Sequence, residues 1–116
     1  MVNINIVRDN EGFIREYTVE GHAGADESGN DIVCASVSVI AYTGANALEV
    51  LAGIKLENTD ALIIEDGYMK CVLPIDIDPD KKQTIKIILE TMVIGFRQLI
   101  ETPEYSEYIS ILDEEV

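Results

Sequence analysis

Apolar and polar residues alternate at the start of the chain, which is the pattern of a half-buried β-strand. Val2, Ile4 and Ile6 are separated by polar residues. The turn signal at 9–12 follows, and an extended pattern resumes after it. Residues 2–20 are therefore predicted to form a β-hairpin.

A helical pattern follows a polar segment. Residues 21–31 are rich in Gly, Ser, Asp and Asn, which predicts a loop. From Val33 to Leu51, apolar residues recur at spacings of three and four and form one stripe. Asp31 stands where an N-cap belongs, and Gly53 stands where the helix should end.

A second hairpin is predicted over residues 61–73. Asp66 and Gly67 lie between two apolar runs, and Asp-Gly favours a two-residue turn in which both positions have positive φ. These residues are therefore expected to join two antiparallel strands.

A second helix is predicted after this hairpin. Asp78 and Pro79 open it as cap and first-turn proline, and Pro103 marks its end. Residues 105–112 fit either a short helix or a last strand.

The element order strand, strand, helix, strand, strand, helix predicts the fold class. Two helices on one face of a mostly antiparallel sheet would cover both apolar stripes in two layers. The expectation is an α/β sandwich of the α+β type, formed as a single domain over residues 1–116.

The charge is strongly acidic, with 22 acidic and 8 basic residues and a formal net charge of −14. Phosphate backbones would be repelled, so direct nucleic-acid binding is not expected. A basic partner would be attracted, although solubility alone also explains such a charge. The N-terminus does not resemble a signal peptide and the apolar runs are too short to span a bilayer, which predicts a cytoplasmic protein without a membrane partner.

Two residues suggest nucleophilic chemistry. His22 is the one histidine of the chain and follows a predicted strand, while Cys34 falls in the first turn of the predicted helix. Free N–H groups at a helix start stabilise a thiolate and bind an oxyanion. A cysteine and a histidine within hydrogen-bond reach form an activated nucleophile. The simpler interpretation is that Cys34 is a small buried apolar residue.

Other chemistries fit the sequence poorly. One His and two widely spaced Cys do not form a zinc site, and the glycines at 24–29 are not followed by the Lys-Ser or Lys-Thr of a phosphate loop. No metal and no cofactor are predicted. Cys71 lies in a predicted strand and is interpreted as a core residue, since a disulfide is improbable in the cytoplasm.

Two motifs together resemble those of the ribosomal-processing cysteine protease family Prp. They are Gly21-His22-Ala23 and, after a glycine-containing loop, Asp31-Ile32-Val33-Cys34-Ala35, with Ser38 one turn later. The order of elements also matches over essentially the whole chain. The small pair that follows the cysteine in this family appears here as Ala35-Ser36, a mild departure.

The resemblance implies a cysteine endopeptidase with a catalytic dyad of Cys34 and His22. It also implies a substrate, the precursor of bacterial ribosomal protein L-twenty-seven, and it favours a homodimer. Supporting roles are assigned to Asp31, as a third catalytic member or only the helix cap, and to Ser38. The expected substrate loop contains Gly21, Ala23, Gly24 and Gly29.

The substrate cleft is expected beside Cys34. A cleft walled by Ala23, Ala35 and the glycine loop would accept an apolar or aromatic substrate side chain.

The alternative function is a non-catalytic, ribosome-associated protein whose acidic surface binds a basic ribosomal protein.

Overall fold

The computed structural model describes residues 1–21 and 28–115, with the backbone alone for 28–31 and 115. Within it the chain forms five strands and two long helices. The strands are β1 (Val2–Arg8), β2 (Ile14–Glu20), β3 (Leu62–Glu65), β4 (Tyr68–Val72) and β5 (Ile109–Glu115). The helices are α1 (Ser28–Ala52) and α2 (Lys82–Glu101), and short 3₁₀ turns cover Pro79–Lys81 and Ser106–Tyr108.

The sheet has the strand order β3-β4-β2-β1-β5, and every neighbouring pair is antiparallel except β1 with β5. The predicted fold class is confirmed: the sheet is mostly antiparallel and both helices cover one face. The directions of the strands explain why both helices lie on the same face. The chain passes from β2 through α1 to β3 at one edge of the sheet, and from β4 through α2 to β5 at the other edge. Because β2 and β4 run in opposite directions, two crossovers of the same handedness place their helices on the same side of the sheet.

Both predicted hairpins are confirmed, with one difference at the second turn. In the first, the Asp9 carboxylate accepts hydrogen bonds from the N–H groups of Glu11 and Phe13, and Gly12 has a φ of 83°. In the second, Gly67 has a φ of 72° but Asp66 does not have a positive φ. The expectation of positive φ at both turn positions was therefore wrong for Asp66.

The first helix starts earlier than predicted. It begins at Ser28, so Asp31 lies inside its first turn and is not the N-cap, and Gly29 is helical and not part of a loop. Its end is as predicted: Gly53 has a φ of 66°, and its N–H donates to the Glu49 carbonyl at 3.2 Å. The expectation that Leu51 lies on the buried stripe was wrong, since Leu51 is 68% exposed.

The core lies between the sheet and the two helices. It takes alternate residues of the strands, because one face of each strand is covered, and residues spaced by three or four along each helix. The buried hydrophobic residues of the helices are Val33, Val37, Ala41, Ala45, Leu48 and Ala52 on α1, and Ile85, Leu89, Met92, Val93 and Phe96 on α2.

By length and composition alone, residues 32–52 of α1 form a segment that would suffice to cross a membrane, which differs from the expectation that the apolar runs are too short. A third of this segment is buried in the fold. Its buried face packs in the core, the arrangement expected of a core helix.

The segment that was ambiguous between helix and strand contains both. The turn at Ser106–Tyr108 leads into β5, which pairs in parallel with β1 from Val2↔Ile109 onward. Arg8 of β1 holds this edge in place, since its guanidinium donates to Asp113 of β5 at 2.7 Å and also to Glu90 of α2. The hydrogen bond from Arg8 lowers the pKa of Asp113.

Candidate active site

A cavity of about 280 Å³ opens between the N-terminal half of α1 and the β3–β4 turn. Its apolar lining comes from both layers of the fold. The apolar residues are Val2, Val19, Val37, Ala41 and Met69, and the others are Gly21, Cys34, Ser38, Tyr42, Glu65, Asp66, Gly67 and Tyr68. The cavity therefore combines apolar residues with a thiol, two tyrosines, a serine and two acidic residues.

The helix places three of these polar residues on one wall. Cys34, Ser38 and Tyr42 are spaced by four, which brings them to the same face of α1 one turn apart. Cys34 is partly buried and its sulfur is not in a disulfide. The predicted alignment of Ser38 with Cys34 is thus confirmed by their shared cavity.

The position of Cys34 along the helix differs from the sequence prediction. Because α1 begins at Ser28, Cys34 lies in the second turn and not in the first. The N–H groups without an intrahelical partner belong to the first four residues, so that of Cys34 is not among them. The expected proximity of Cys34 to several free N–H groups is corrected accordingly.

Gly21 forms the rim of the cavity at the end of β2. Its N–H donates to the Gly67 carbonyl at 2.8 Å, which connects β2 to the β3–β4 turn. Its φ is +95°, and a Cβ atom there would lie 2.6 Å from the carbonyl oxygen of Met1. Only glycine fits this close approach of two backbone segments.

Three predicted site residues, His22, Ala23 and Gly24, lie outside the described residues. The sequence also predicts that residues 23–30 are mobile in the free protein and become ordered over a bound peptide; of these, residues 23–27 lie outside the described residues and 28–30 are helical. Ala35 is exposed on α1 and does not line the cavity, so the expectation that it forms part of the wall was wrong. Tyr42 and Tyr68 are among the residues that line the cavity.

The second cysteine has a different environment. Cys71 is 1% exposed, and it pairs across the sheet with Tyr17, whose hydroxyl donates to the Ala41 carbonyl at 2.8 Å. Burial raises the pKa of Cys71 from its ordinary value of 9.0 to about 12. Burial also raises the pKa of Tyr17, and the neighbouring Cys71 raises it further. The prediction that Cys71 is a core residue is confirmed.

Sequence reasoning missed the contribution of the β3–β4 turn and of the two tyrosines. The Asp66-Gly67 signal located the turn, but no local pattern indicated that it lies opposite Cys34. Among the described side chains, those of residues 1–21 and 32–114, no group of three or more His, Cys, Asp or Glu is arranged to hold a metal ion.

Comparisons with known proteins show which family the sequence resembles. Residues 1–110 match the sequence model of the family described as cysteine protease Prp. The ribosomal processing cysteine protease Prp of Staphylococcus aureus (strain Mu50) is 30% identical over 111 residues, covering 96% of this chain and 97% of that protein. Its counterpart in Bacillus subtilis is 29% identical and covers 85% and 87%, respectively.

Two solved structures share the fold over nearly the whole chain. A Streptococcus mutans protein superimposes with a TM-score of 0.81 and 30% identity, covering 100% of this chain and 96% of that one. An essential ribosomal processing protease Prp from S. aureus, in complex with a covalently linked product peptide, gives a TM-score of 0.77 at 27% identity, covering 98% and 100%.

Proposed function

Because the chain belongs to the Prp family of ribosomal processing cysteine proteases, we propose that it removes the N-terminal extension of bacterial ribosomal protein L-twenty-seven in the cytoplasm. The observation that carries the proposal is the position of Cys34. It is the cysteine that lines a cavity, and apolar residues of the same cavity can contact a substrate side chain.

In the proposed reaction, the Cys34 sulfur attacks the carbonyl carbon of the scissile peptide bond. His22 accepts the thiol proton and later donates it to the leaving amine. The C–N bond breaks, which leaves the N-terminal fragment as a thioester on Cys34. Water, deprotonated by His22, then hydrolyses the thioester and releases the carboxylate product.

The structure of the cavity rim supports His22 as the base. Gly21, which precedes it in the sequence, lines the same cavity as Cys34 and is hydrogen-bonded to the β3–β4 turn. Ser38, one turn after Cys34 on the same wall, is proposed to hydrogen-bond the bound peptide. Asp31, in the first turn of α1, keeps its proposed role as an orienting group for His22.

The apolar lining supports an aromatic or aliphatic residue next to the scissile bond. Val37, Ala41 and Met69 are uncharged members of the lining, and Tyr42 and Tyr68 add two aromatic rings to it. The net charge of −14 favours the approach of a basic ribosomal protein. Charge would increase the association rate, while the pocket would select the bond to be cleaved.

The test is cleavage of the extended ribosomal protein, followed by mass spectrometry of the product. One cut that removes the extension supports the proposal, and no cut overturns it. Matched peptides with Ala or Asp in place of the apolar residues before the junction should lose cleavage, whereas added salt should weaken it only moderately. Equal cleavage of unrelated basic proteins would overturn the ribosomal assignment.

We also propose that the chain is a homodimer formed across the groove between α1 and α2. Val39, Leu51 and Ile87 are exposed there, and none of the described residues that line the groove is charged. Two copies with a net charge of −14 repel each other, so association is favoured through a surface that carries no charge itself. The apolar groove between α1 and α2 is such a surface. Sedimentation as a monomer at micromolar concentration would contradict this proposal, and Val39→Glu should dissociate the dimer without unfolding it.

A further inference from the structure

β3 is an edge strand of the sheet, and within the described residues no strand lies beyond it. Edge strands are commonly protected by short length, charged side chains, Pro or a bulge, because their free N–H and C=O groups attract other strands. β3 is short, but its sequence Leu-Ile-Ile-Glu contains no Pro or Lys, and its one charged residue, Glu65, stands at the end next to the turn. Ile63 is 37% exposed and Ile64 is 52% exposed.

The register shows which backbone groups of β3 face outward. The turn pairs Glu65 with Tyr68, and the Val72 N–H donates to the Ala61 carbonyl at 2.8 Å. Odd-numbered residues of this strand therefore bond to β4, and even-numbered residues direct their N–H and C=O away from it. The N–H of Leu62 already donates a hydrogen bond to the Thr59 carbonyl, at 3.4 Å. Ile64 thus presents both of its backbone groups at the open edge.

This edge leads into the cavity that holds Cys34. The strand ends at Glu65, and Glu65, Asp66 and Gly67 line the cavity. Exposed carboxylates stand at both ends of the strand, at Asp60 before it and at Glu65 and Asp66 after it. An extended peptide paired with β3 would therefore be continuous with the cavity, and the charge at both ends favours a basic peptide.

We infer that the protein substrate adds to β3 as a sixth, antiparallel strand, with Ile64 supplying the backbone hydrogen bonds. The inference rests on the proposed function, in which Cys34 cleaves the substrate within this cavity. Main-chain pairing at a sheet edge is an established mode of peptide recognition. It would supply affinity independently of the side chain held in the pocket.

The antiparallel direction determines which part of the substrate lies on β3. Because β3 runs toward the cavity, an antiparallel strand runs away from it. The paired segment is then the one that follows the scissile bond. In an extended ribosomal protein, this segment is the start of the mature, basic chain.

The first test compares Ile64→Pro with Ile64→Thr. Proline removes the outward N–H without breaking a bond to β4, whereas threonine keeps the N–H and the β-branched shape. For a peptide that continues well beyond the scissile bond, Ile64→Pro should lower kcat/KM about fivefold, the effect of one lost backbone hydrogen bond. For a peptide that ends just after that bond, both variants should match the wild type. An equal response of the two peptides would overturn the inference.

A second measurement does not depend on the folding of a variant. Single N-methyl groups are placed in turn on the residues that follow the scissile bond, and each peptide is assayed with the wild-type protein. Loss of cleavage at every second residue supports strand addition, because alternate N–H groups face β3. Uniform tolerance of N-methylation overturns it.

The outcomes separate this inference from the proposed function. If Cys34→Ala still cleaves, the proposed function fails. If Cys34 is required but Ile64→Pro cleaves both peptides normally, only strand addition fails. If Ile64→Pro changes the sedimentation of the free protein, a second copy occupies the edge and the inference is also overturned.

Discussion

The two cysteines of this chain are both near α1, yet their surroundings differ in ways that assign them opposite roles. Cys34 lies on a helix wall and lines an open cavity, with polar neighbours one and two turns further along. Cys71 lies on the helix-facing side of β4, is 1% exposed, and has a pKa raised to about 12. A thiol must be reached by a carbonyl carbon in order to attack it, and only the first of these two can be reached.

The comparison shows that access and not residue type distinguishes a catalytic from a structural cysteine. A buried thiol in an apolar environment resists ionisation, and the thiolate is the nucleophile. Cys71 therefore contributes to the core together with Tyr17, while Cys34 remains available to substrate. Substitutions of each residue should affect different properties of the protein.

The largest effect is expected from Cys34→Ala. Loss of the nucleophile should lower the cleavage rate by on the order of a thousandfold or more. The Tm should stay close to that of the wild type, because Cys34 is only partly buried. Cys71→Ala is the matched control, and it should cleave at nearly the wild-type rate at a temperature where it is folded. Loss of activity in the folded control would reverse the assignment.

The next effect concerns His22. His22→Ala should lower turnover by about a hundredfold or more, which is the usual contribution of a general base. The measurement is single-turnover cleavage over pH 6–9. A variant within a few-fold of the wild type would show that another group accepts the proton of Cys34.

Stability should respond to Cys71 more than to Cys34. Cys71→Ser places a hydroxyl in the apolar core and should lower the free energy of unfolding by about 1–3 kcal/mol. Tyr17→Phe, which removes the hydrogen bond to the Ala41 carbonyl, should cost about 1 kcal/mol. Urea unfolding measures both values. Cys34→Ser, the matched change at the cavity, should cost less than Cys71→Ser, and the opposite order would contradict the account.

A dependence of stability on alkaline pH is expected as well, and it has no effect near neutral pH. The pKa of Cys71 is raised on folding, so above pH 9 the unfolded chain releases a proton that the folded chain retains. The free energy of unfolding should therefore be unaffected below about pH 8 and fall between pH 9 and 12, by about 1.4 kcal/mol per pH unit at most. Tyr17, also raised, adds to this loss above pH 10. In Cys71→Ala, the free energy of unfolding should fall less steeply with pH than in the wild type. The same steepness in both proteins would contradict the assignment of this loss to Cys71.

Much of the fold could be predicted because its signals are local. The alternation of Val2, Ile4 and Ile6 and the Asp66-Gly67 turn each determine an element within a few residues. β5 could not be predicted from the sequence in this way, and its residues fitted either a short helix or a strand. Its pairing with β1 joins residues at opposite ends of the sequence, and its own apolar alternation is short.

The site was predicted less completely, for two physical reasons. Several residues from Asp26 to Asp31 are good helix caps, so the sequence does not determine which of them starts the helix. The structure begins α1 at Ser28 and places Cys34 in the second turn. The cavity, in turn, depends on the approach of the β3–β4 turn to α1, a tertiary contact that no local pattern encodes.

The central claim is that Cys34, and not Cys71, is the nucleophile. Its most direct test is alkylation of the folded protein by a limiting amount of iodoacetamide at neutral pH. Peptide mapping and cleavage activity are followed on the same samples. The account predicts that Cys34 is modified, that activity is lost at the same rate, and that Cys71 reacts only after unfolding. Inactivation that follows modification of Cys71, or full activity with Cys34 completely alkylated, would contradict it.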